Sequence, residues 1–311
     1  MKKQTFDPVA YAAELDRRAA ERQKAYDRIV VSCCRENNGE RTMSMIVGHI
    51  SPDWDCLTAL WLLRRFDPAL ENATIKLVNT GNPDAALLVA ADAVVDTGRV
   101  CNYTTKRYDH HQMDDPNSTC AALLVYEHLL QMNNTLSYLA PLVYLVFAGD
   151  TGKSEADESR KTGIHAILSQ MKHDQYNDET IMQHCFPILD AIETQLEYGS
   201  SLDVSIKNVL LFGYDVYIKR YQERQNALIE QGIEPYVVYR SKDNRIIALQ
   251  NAPQQATQLA FEQGASIVVW ANYPENAIGV NRARGIDTHL GGLIDGLQDF
   301  IRPFKFYQSM H

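Results

Sequence analysis

The stretch Met43-Ser44-Met45-Ile46-Val47-Gly48-His49-Ile50-Ser51-Pro52-Asp53-Trp54-Asp55 decides the fold. Its first eight residues form an apolar run of strand length. Gly48 interrupts the run, His49 lies near its end, and Pro52 blocks a simple continuation. His49, Asp53 and Asp55 are therefore expected in the loop after a strand. Three further segments repeat the arrangement. Ala93-Val94-Val95 is a β-rich run that delivers Asp96 just before Thr97-Gly98. Lys106-Arg107-Tyr108 leads into Asp109-His110-His111. Tyr138 to Gly149 is apolar for most of its length and runs into Asp150-Thr151-Gly152, the pattern of a buried helix ending in a turn. Ligands gather outside the carboxyl ends of the strands in an open α/β sheet, and three of these four clusters follow candidate strands.

The residue types point to metal chemistry. A single His or Asp in a strand-end loop is more often a cap or turn residue than a ligand. Six such residues, each at an expected strand or helix end, are harder to explain that way. Asp53, Asp55, Asp96 and Asp150 with His49 and His110 make a mixed oxygen and nitrogen donor set, with no thiolate demanded. Such a set suits manganese or magnesium better than structural zinc. Two divalent ions would cancel the four carboxylate charges, and an aspartate bridging them would hold them about 3.5 to 4 Å apart. A water shared by the two ions loses its proton near neutral pH and serves as nucleophile, so no Ser or Cys nucleophile is required. The expected cofactors are two divalent ions, Mn2+ first, with Mg2+ or Co2+ as substitutes.

His49-x-x-x-Asp53-x-Asp55, Val95-Asp96-Thr97-Gly98, Asp109-His110-His111 and Gly149-Asp150-Thr151-Gly152 follow one another in an order and spacing that resemble the DHH phosphoesterase superfamily, in particular its nano-RNase or oligoribonuclease-like members. The resemblance covers residues 43 to 152. It implies that His49 and Asp53 hold one ion, that Asp55, His110 and Asp150 hold the other, and that Asp96 bridges. It further implies that His111 faces the scissile phosphate as hydrogen-bond donor or general acid, and that Asp109 orients an imidazole. Trp54 is a departure, standing where the superfamily commonly has a small residue. Its indole could close the pocket, stack on a base or simply pack.

Composition sets the outer bounds. The chain has 311 residues, 45% of them hydrophobic, and a formal net charge of −9. It is long enough for two domains with substantial cores. The acidic balance argues against a protein that coats nucleic acid through a broad basic surface. Two bound divalent ions would bring the charge to about −5, and a small anionic substrate needs only a local basic pocket. No apolar run long enough to cross a membrane and no signal-like start is evident, which leads to the expectation of a cytoplasmic protein. Cys33, Cys34, Cys56, Cys101, Cys120 and Cys185 show no CxxC pairing and are expected to be free thiols. The expected partners are a small nucleotide or short oligonucleotide, with no long duplex and no membrane, and a homodimer left open.

The expected fold is α/β in two domains, with an active site in the cleft between them. Residues 1–199 would form the metal-binding catalytic domain, a mainly parallel sheet flanked by helices. Residues 200–232 would be a linker and connecting helix, and 233–311 a smaller mixed-sheet domain for substrate binding. Asp7 to Val30 reads as an amphipathic helix and 33–42 as a connector. Thr74 to Asn79 reads as a second strand, Ser118 to Met132 as a helix and Asp157 to Tyr198 as polar and helical. Tyr214 to Gln231 reads as a long exposed helix with a surface charge run. Beyond it come strands at Pro235 to Tyr239 and Arg245 to Leu249, a helix at Gln254 to Gln263, strands at Ser266 to Ala271 and Ala277 to Asn281, and a closing helix after Gly291-Gly292. Arg282, Arg284, His289, Gly291 and Gly292 are the candidate substrate residues, because guanidinium forks match phosphate oxygens and glycines before a helix let backbone N–H groups approach an anion. The DHH resemblance would place a His after a glycine-rich stretch, whereas here His289 precedes the glycine pair, and an exposed basic turn before a helix is the competing reading.

The activity expected from these residues is metal-dependent hydrolysis of phosphodiester or phosphomonoester bonds in short oligonucleotides or small nucleotides. The alternatives are a manganese-dependent pyrophosphatase, a cyclic dinucleotide phosphodiesterase and a non-catalytic nucleotide-binding regulator.

Overall fold

Alternation along β1 (Met45–His49) sets the two faces of the first sheet. Ile46 enters a large core shared with helices, while Val47 packs with Val78, Ala91 and Val94 on the other side. The same period of two sends Ala93 and Val95 one way and Val94 the other in β3 (Ala93–Val95). Both faces are therefore covered, as a parallel sheet requires. The computed structural model describes residues 44–80, 83–252, 255–272, 277–282 and 305–307. The expected helix from Asp7 to Val30 and the connector 33–42 lie outside those residues.

β1 pairs in parallel with β2 (Thr74–Val78) on one side and with β3 on the other. β3 pairs in parallel with β5 (Arg107–Tyr108), and β4 (Cys101–Asn102) closes the edge antiparallel to β5. The strand order is β2-β1-β3-β5-β4. The chain leaves β1 toward one side and returns to β3 on the other, so a topological switch point lies between these two strands. Ligand sites form outside the carboxyl ends at such a point.

The segment after β1 differs from its expectation. Asp53 ends the loop after β1 as the N-cap of α1 (Trp54–Phe66), its carboxylate accepting from the Cys56 N–H at 3.0 Å, whereas Asp55 belongs to the first turn of the helix. Pro52 and Asp53 are a helix-start signal. Every residue from Trp54 to Leu63 is buried, so the helix lacks the polar face by which amphipathic helices are recognised. Trp54 is part of this packing, 3% exposed, and its indole N–H donates to the Ile164 carbonyl at 2.9 Å. Trp54→Phe is expected to lower unfolding stability by about 1–3 kcal/mol through the orphaned carbonyl. Turnover should change by less than about threefold, since about 0.6 kcal/mol separates such rates. A denaturant titration beside an activity assay reads both, and a collapse of turnover at unchanged stability would restore the base-stacking role.

Helices bury the large core. α2 (Ala85–Ala90) covers the Val47 face through Leu87 and Leu88. α3 (Ala121–Met132) starts three residues later than expected because a 3-10 turn, Pro116–Ser118, precedes it. α4 (Ala140–Asp150) ends at Asp150. The polar region resolves into α5 (Asp157–Thr162), α6 (Ile164–His173) and α7 (Asp178–Glu197), whose Ile164, Ile167, Met171, Ile188 and Ile192 join the core. α8 (Leu202–Val209) stops at a break where Gly213 takes a φ of 97°, a left-handed value suited to glycine.

α9 (Asp215–Gln231) is more than a surface charge run. Ile218 and Tyr221 belong to the first core and Leu228 to a second, with Ile233, Ile247, Leu249 and Val268. That second core lies against a mixed sheet of order β10-β9-β8-β7-β6. Its strands are β6 (Val237–Arg240), β7 (Ile246–Gln250), β8 (Ile267–Asn272), β9 (Ala277–Arg282) and β10 (Lys305–Tyr307). β7–β8 and β9–β10 pair in parallel, β6–β7 and β8–β9 antiparallel. α10 (Gln255–Glu262) contributes Ala256 and Ala260 to this core. The expected closing helix after Gly291-Gly292 lies outside the described residues, and β10 was not foreseen. The architecture is α/β, a parallel-rich sheet with helices and a second, mixed sheet. No described helix is long and apolar enough to cross a membrane.

Candidate metal centre

The carboxyl end of the first sheet collects the residues singled out in the sequence. His49 closes β1, Asp96 follows β3, and Asp109 and His110 follow β5. Asp55 enters from the first turn of α1, and Asp150 from the last residue of α4. Asp96 has a φ of 52°, an uncommon conformation outside glycine that Asp tolerates better than most residues. Its N–H donates to the Tyr108 carbonyl at 2.9 Å, and its side chain lies at the switch point, 2% exposed.

Two imidazoles are oriented alike. His49 Nδ1 lies 2.9 Å from the Ile50 carbonyl, and His110 Nδ1 lies 2.8 Å from the Pro116 carbonyl. A carbonyl oxygen can only accept, so in each ring the Nδ1–H donates and Nε2 faces the centre, leaving the Nδ1–H tautomer once Nε2 gives up its proton. This tautomer is the one in which a histidine binds a metal through Nε2. His49 Nε2 meets Asp96 Oδ2 at 3.0 Å and Asp53 Oδ1 at 3.9 Å. His110 Nε2 stands 3.8, 3.6 and 3.7 Å from carboxylate oxygens of Asp55, Asp96 and Asp150. Donors bound about 2.1–2.2 Å from one ion stand roughly 3–3.6 Å apart. The spacing around His110 is close to that of one coordination shell.

The centre is incompletely satisfied without a cation. His110 Nε2 and Asp96 Oδ1 are buried and have no hydrogen-bond partner. Asp96 turns Oδ2 to His49 and Oδ1 to His110, so one carboxylate faces both sides. Among the described residues, the His, Cys and Asp groups that could hold an ion are His49–Cys56–Asp96, Asp96–His110–His111 and Asp55–His110–Asp150. Burial, then the charges of Asp96 and Asp53, push the Asp55 carboxyl up to about 7. Burial and the charges of Asp55, Asp53 and Asp96 push Asp150 up to about 8. Asp150 also ends a helix, where the macrodipole disfavours an anion. Asp55 is compensated in part, because its oxygens accept from the N–H groups of Ala121 and Ala122 at 2.8 and 2.6 Å, at the start of α3. Burial works against a charged His110, yet the neighbouring carboxylates, Asp96 first, raise it to about 10. Crowded carboxylates of this kind are what a divalent cation relieves.

His111 is the exposed member, with 53% of its side chain in solvent. Asp109 Oδ1 lies 2.8 Å from His111 Nδ1, and Asp109 also accepts from the backbone N–H groups of His111 and Arg99 at 2.9 and 2.7 Å. Asp109 thus fixes the ring and raises its affinity for a proton.

Supporting residues absent from the sequence reading surround Asp150. Arg160 donates to the carbonyls of Ala148, Gly149 and Lys153 at 3.1 Å each, tying down the end of α4 and the turn beyond it. His165, whose Nδ1 bonds Ser159 at 2.8 Å, packs against Gly149 so closely that a Cβ there would lie 1.9 Å from its Nε2. Cys56 and Cys120 are buried free thiols within the centre, in contact with His49 and Asp55. Their signal was adjacency to a motif: Cys56 directly follows Asp55, and Cys120 immediately precedes α3. Arg160→Met is expected to weaken divalent-ion binding by about 10- to 100-fold, the usual consequence of losing a residue that orients a metal ligand. Calorimetric titration with Mn2+ would read it, and unchanged affinity would show that α4 holds Asp150 unaided.

The C-terminal candidates are not brought to this centre by anything described. Arg282 ends β9, opposite Ile267 of β8. Arg284, His289, Gly291 and Gly292 lie outside the described residues.

Residues 45–174 match the family model MYG1_exonuc, described as an uncharacterised protein family (UPF0160). That span holds every residue of the metal centre. No curated protein and no solved structure matches the chain. The match corrects the assignment to the DHH superfamily, because MYG1_exonuc is a different family. The physical reason lies in the motifs: short Asp and His patterns at strand ends follow from the geometry of metal binding, which a parallel sheet imposes in any family.

Proposed function

We propose that this chain is a metal-dependent phosphoesterase acting on short oligonucleotides or small nucleotides, with two divalent ions, Mn2+ foremost, at the carboxyl end of the first sheet. The observation that carries the reading is Asp96: one buried carboxylate with an oxygen toward each of two imidazole-containing donor groups. The stem "exonuc" in the name of the matching family model agrees with a nucleic-acid phosphodiester as substrate. His49 and Asp53 would hold one ion, Asp55, His110 and Asp150 the other, with Asp96 shared.

Bound divalent ions would supply Lewis acidity and an activated water for displacement at phosphorus. The chain's own residues do the rest. Asp109 holds His111 so that its remaining ring nitrogen can donate to a phosphate oxygen or protonate the leaving oxygen. Asp55, held by two backbone N–H groups, gives its donor set a fixed position, and Arg160 does the same for Asp150. Arg282, Arg284, His289, Gly291 and Gly292 would bind the substrate's phosphates from the C-terminal sheet region, across a cleft between two domains. Free thiols in the centre suit a reducing, cytoplasmic setting.

The test is product formation on a dinucleotide, a five-nucleotide RNA, adenosine 3′,5′-bisphosphate, cyclic di-AMP and pyrophosphate, each with and without Mn2+, read by mass spectrometry. Mn2+-dependent cleavage of linear nucleotides is expected. Cleavage of pyrophosphate or the cyclic dinucleotide alone would transfer the chain to those substrate classes. Metal binding with no turnover of any of them would leave a nucleotide-binding regulator.

A further inference from the structure

The two halves of the centre are chemically unlike. Around His110 the partners are the carboxylates of Asp55, Asp96 and Asp150. Around His49 they include a sulfur: ligand atoms of His49, Cys56 and Asp96 all lie within 4.8 Å of one another. Cys56 is fully buried in the first turn of α1. Its Sγ lies against β1 beside His49, in space that a side chain at residue 48 would take: a Cβ on Gly48 would sit 2.8 Å from it. Asp96, 2% exposed, turns Oδ2 into this group at 3.0 Å from His49 Nε2, so a buried carboxylate, an imidazole and a thiol converge there.

We propose that Cys56 is a direct thiolate ligand of the ion on the His49 side, so that this half selects zinc, cobalt or ferrous iron while the His110 half takes manganese or magnesium. The inference rests on the reading that the cluster binds metal, and it makes the pair heteronuclear. Thiolate is a soft donor that favours zinc-like ions, and an all-carboxylate and imidazole set does not. On binding, the Cys56 S–H bond breaks, a metal–sulfur bond forms, and the proton passes to solvent.

X-ray absorption on the zinc-loaded full chain tests this without reference to turnover. With two zinc ions bound, about half a sulfur scatterer per zinc is expected at about 2.3 Å, beside nitrogen and oxygen at about 2.0–2.2 Å. The sulfur shell should persist in Cys120→Ser and in a Cys33→Ser/Cys34→Ser chain and vanish in Cys56→Ser. Cobalt-loaded protein should likewise show a sulfur-to-cobalt charge-transfer band that only Cys56→Ser removes. Cys56→Ser should also lower zinc affinity by at least about tenfold relative to manganese. A wild-type shell without sulfur, or a sulfur signal that disappears with Cys120 or with Cys33 and Cys34, overturns the proposal. Should Cys56→Ser fail to fold, the wild-type spectrum and the other variants decide the matter alone. Sulfur-free binding removes only this inference, whereas failure to bind any ion removes the metal reading with it.

Discussion

Asp96→Asn is expected to reduce metal-dependent phosphoester hydrolysis by on the order of a thousandfold and to lower the number of tightly bound divalent ions. The substitution keeps the shape of the side chain and removes the charge that faces both His49 and His110. Asn also tolerates the left-handed backbone at this position, where φ is 52°, so the fold should survive. An amide offers one acceptor oxygen and an N–H2 group that repels a cation, and it cannot serve two ions. Ion counting by inductively coupled plasma mass spectrometry, beside the turnover assay, reads both effects. Two ions retained at full turnover would mean that Asp96 is a structural residue and that the centre is organised otherwise.

His111→Ala separates chemistry from metal binding. Turnover should fall by about 10²- to 10⁴-fold, the range for loss of a positioned general acid or base, while both ions stay bound. The ring is held by Asp109 at 2.8 Å and is half open to solvent, which is where a substrate oxygen can reach it. Its Nδ1 also lies 3.6 Å from Asp96 Oδ1, so a different outcome has a clear meaning: loss of an ion on truncation would make His111 a ligand. Asp109→Asn should reproduce the turnover defect in part and shift the alkaline limb of the pH profile to lower pH. Asp109 raises the proton affinity of His111, so removing its charge lets the ring lose its proton at lower pH.

The parallel strands and the polar residues gathered at their ends were legible because β-rich runs at Met43–Ile50, Thr74–Asn79 and Ala93–Val95 each stop at a polar or glycine-containing turn. The start of α1 was not, since a helix buried from Trp54 to Leu63 shows no amphipathic period and its N-cap, Asp53, was read only as a ligand. Arg160 and His165 escaped notice because their meaning comes from contacts with the end of α4, more than ten residues earlier in the chain. Cys56 fits no cysteine motif in the sequence, and its place beside His49 arises only from the packing of α1 against β1. The family assignment failed for the opposite reason: the motifs were real, but they record what metal ions require more than which family supplies it.

One helix is seamed into both cores. From Ile218 and Tyr221 in the first to Leu228 in the second, α9 runs seven to ten residues, about 10–15 Å at 1.5 Å per residue. Along that length it acts as a strut. Loosening either core strips apolar support from the same rod, so the two sheets share a cooperative fate during unfolding, and protease cuts within α9 report on both at once.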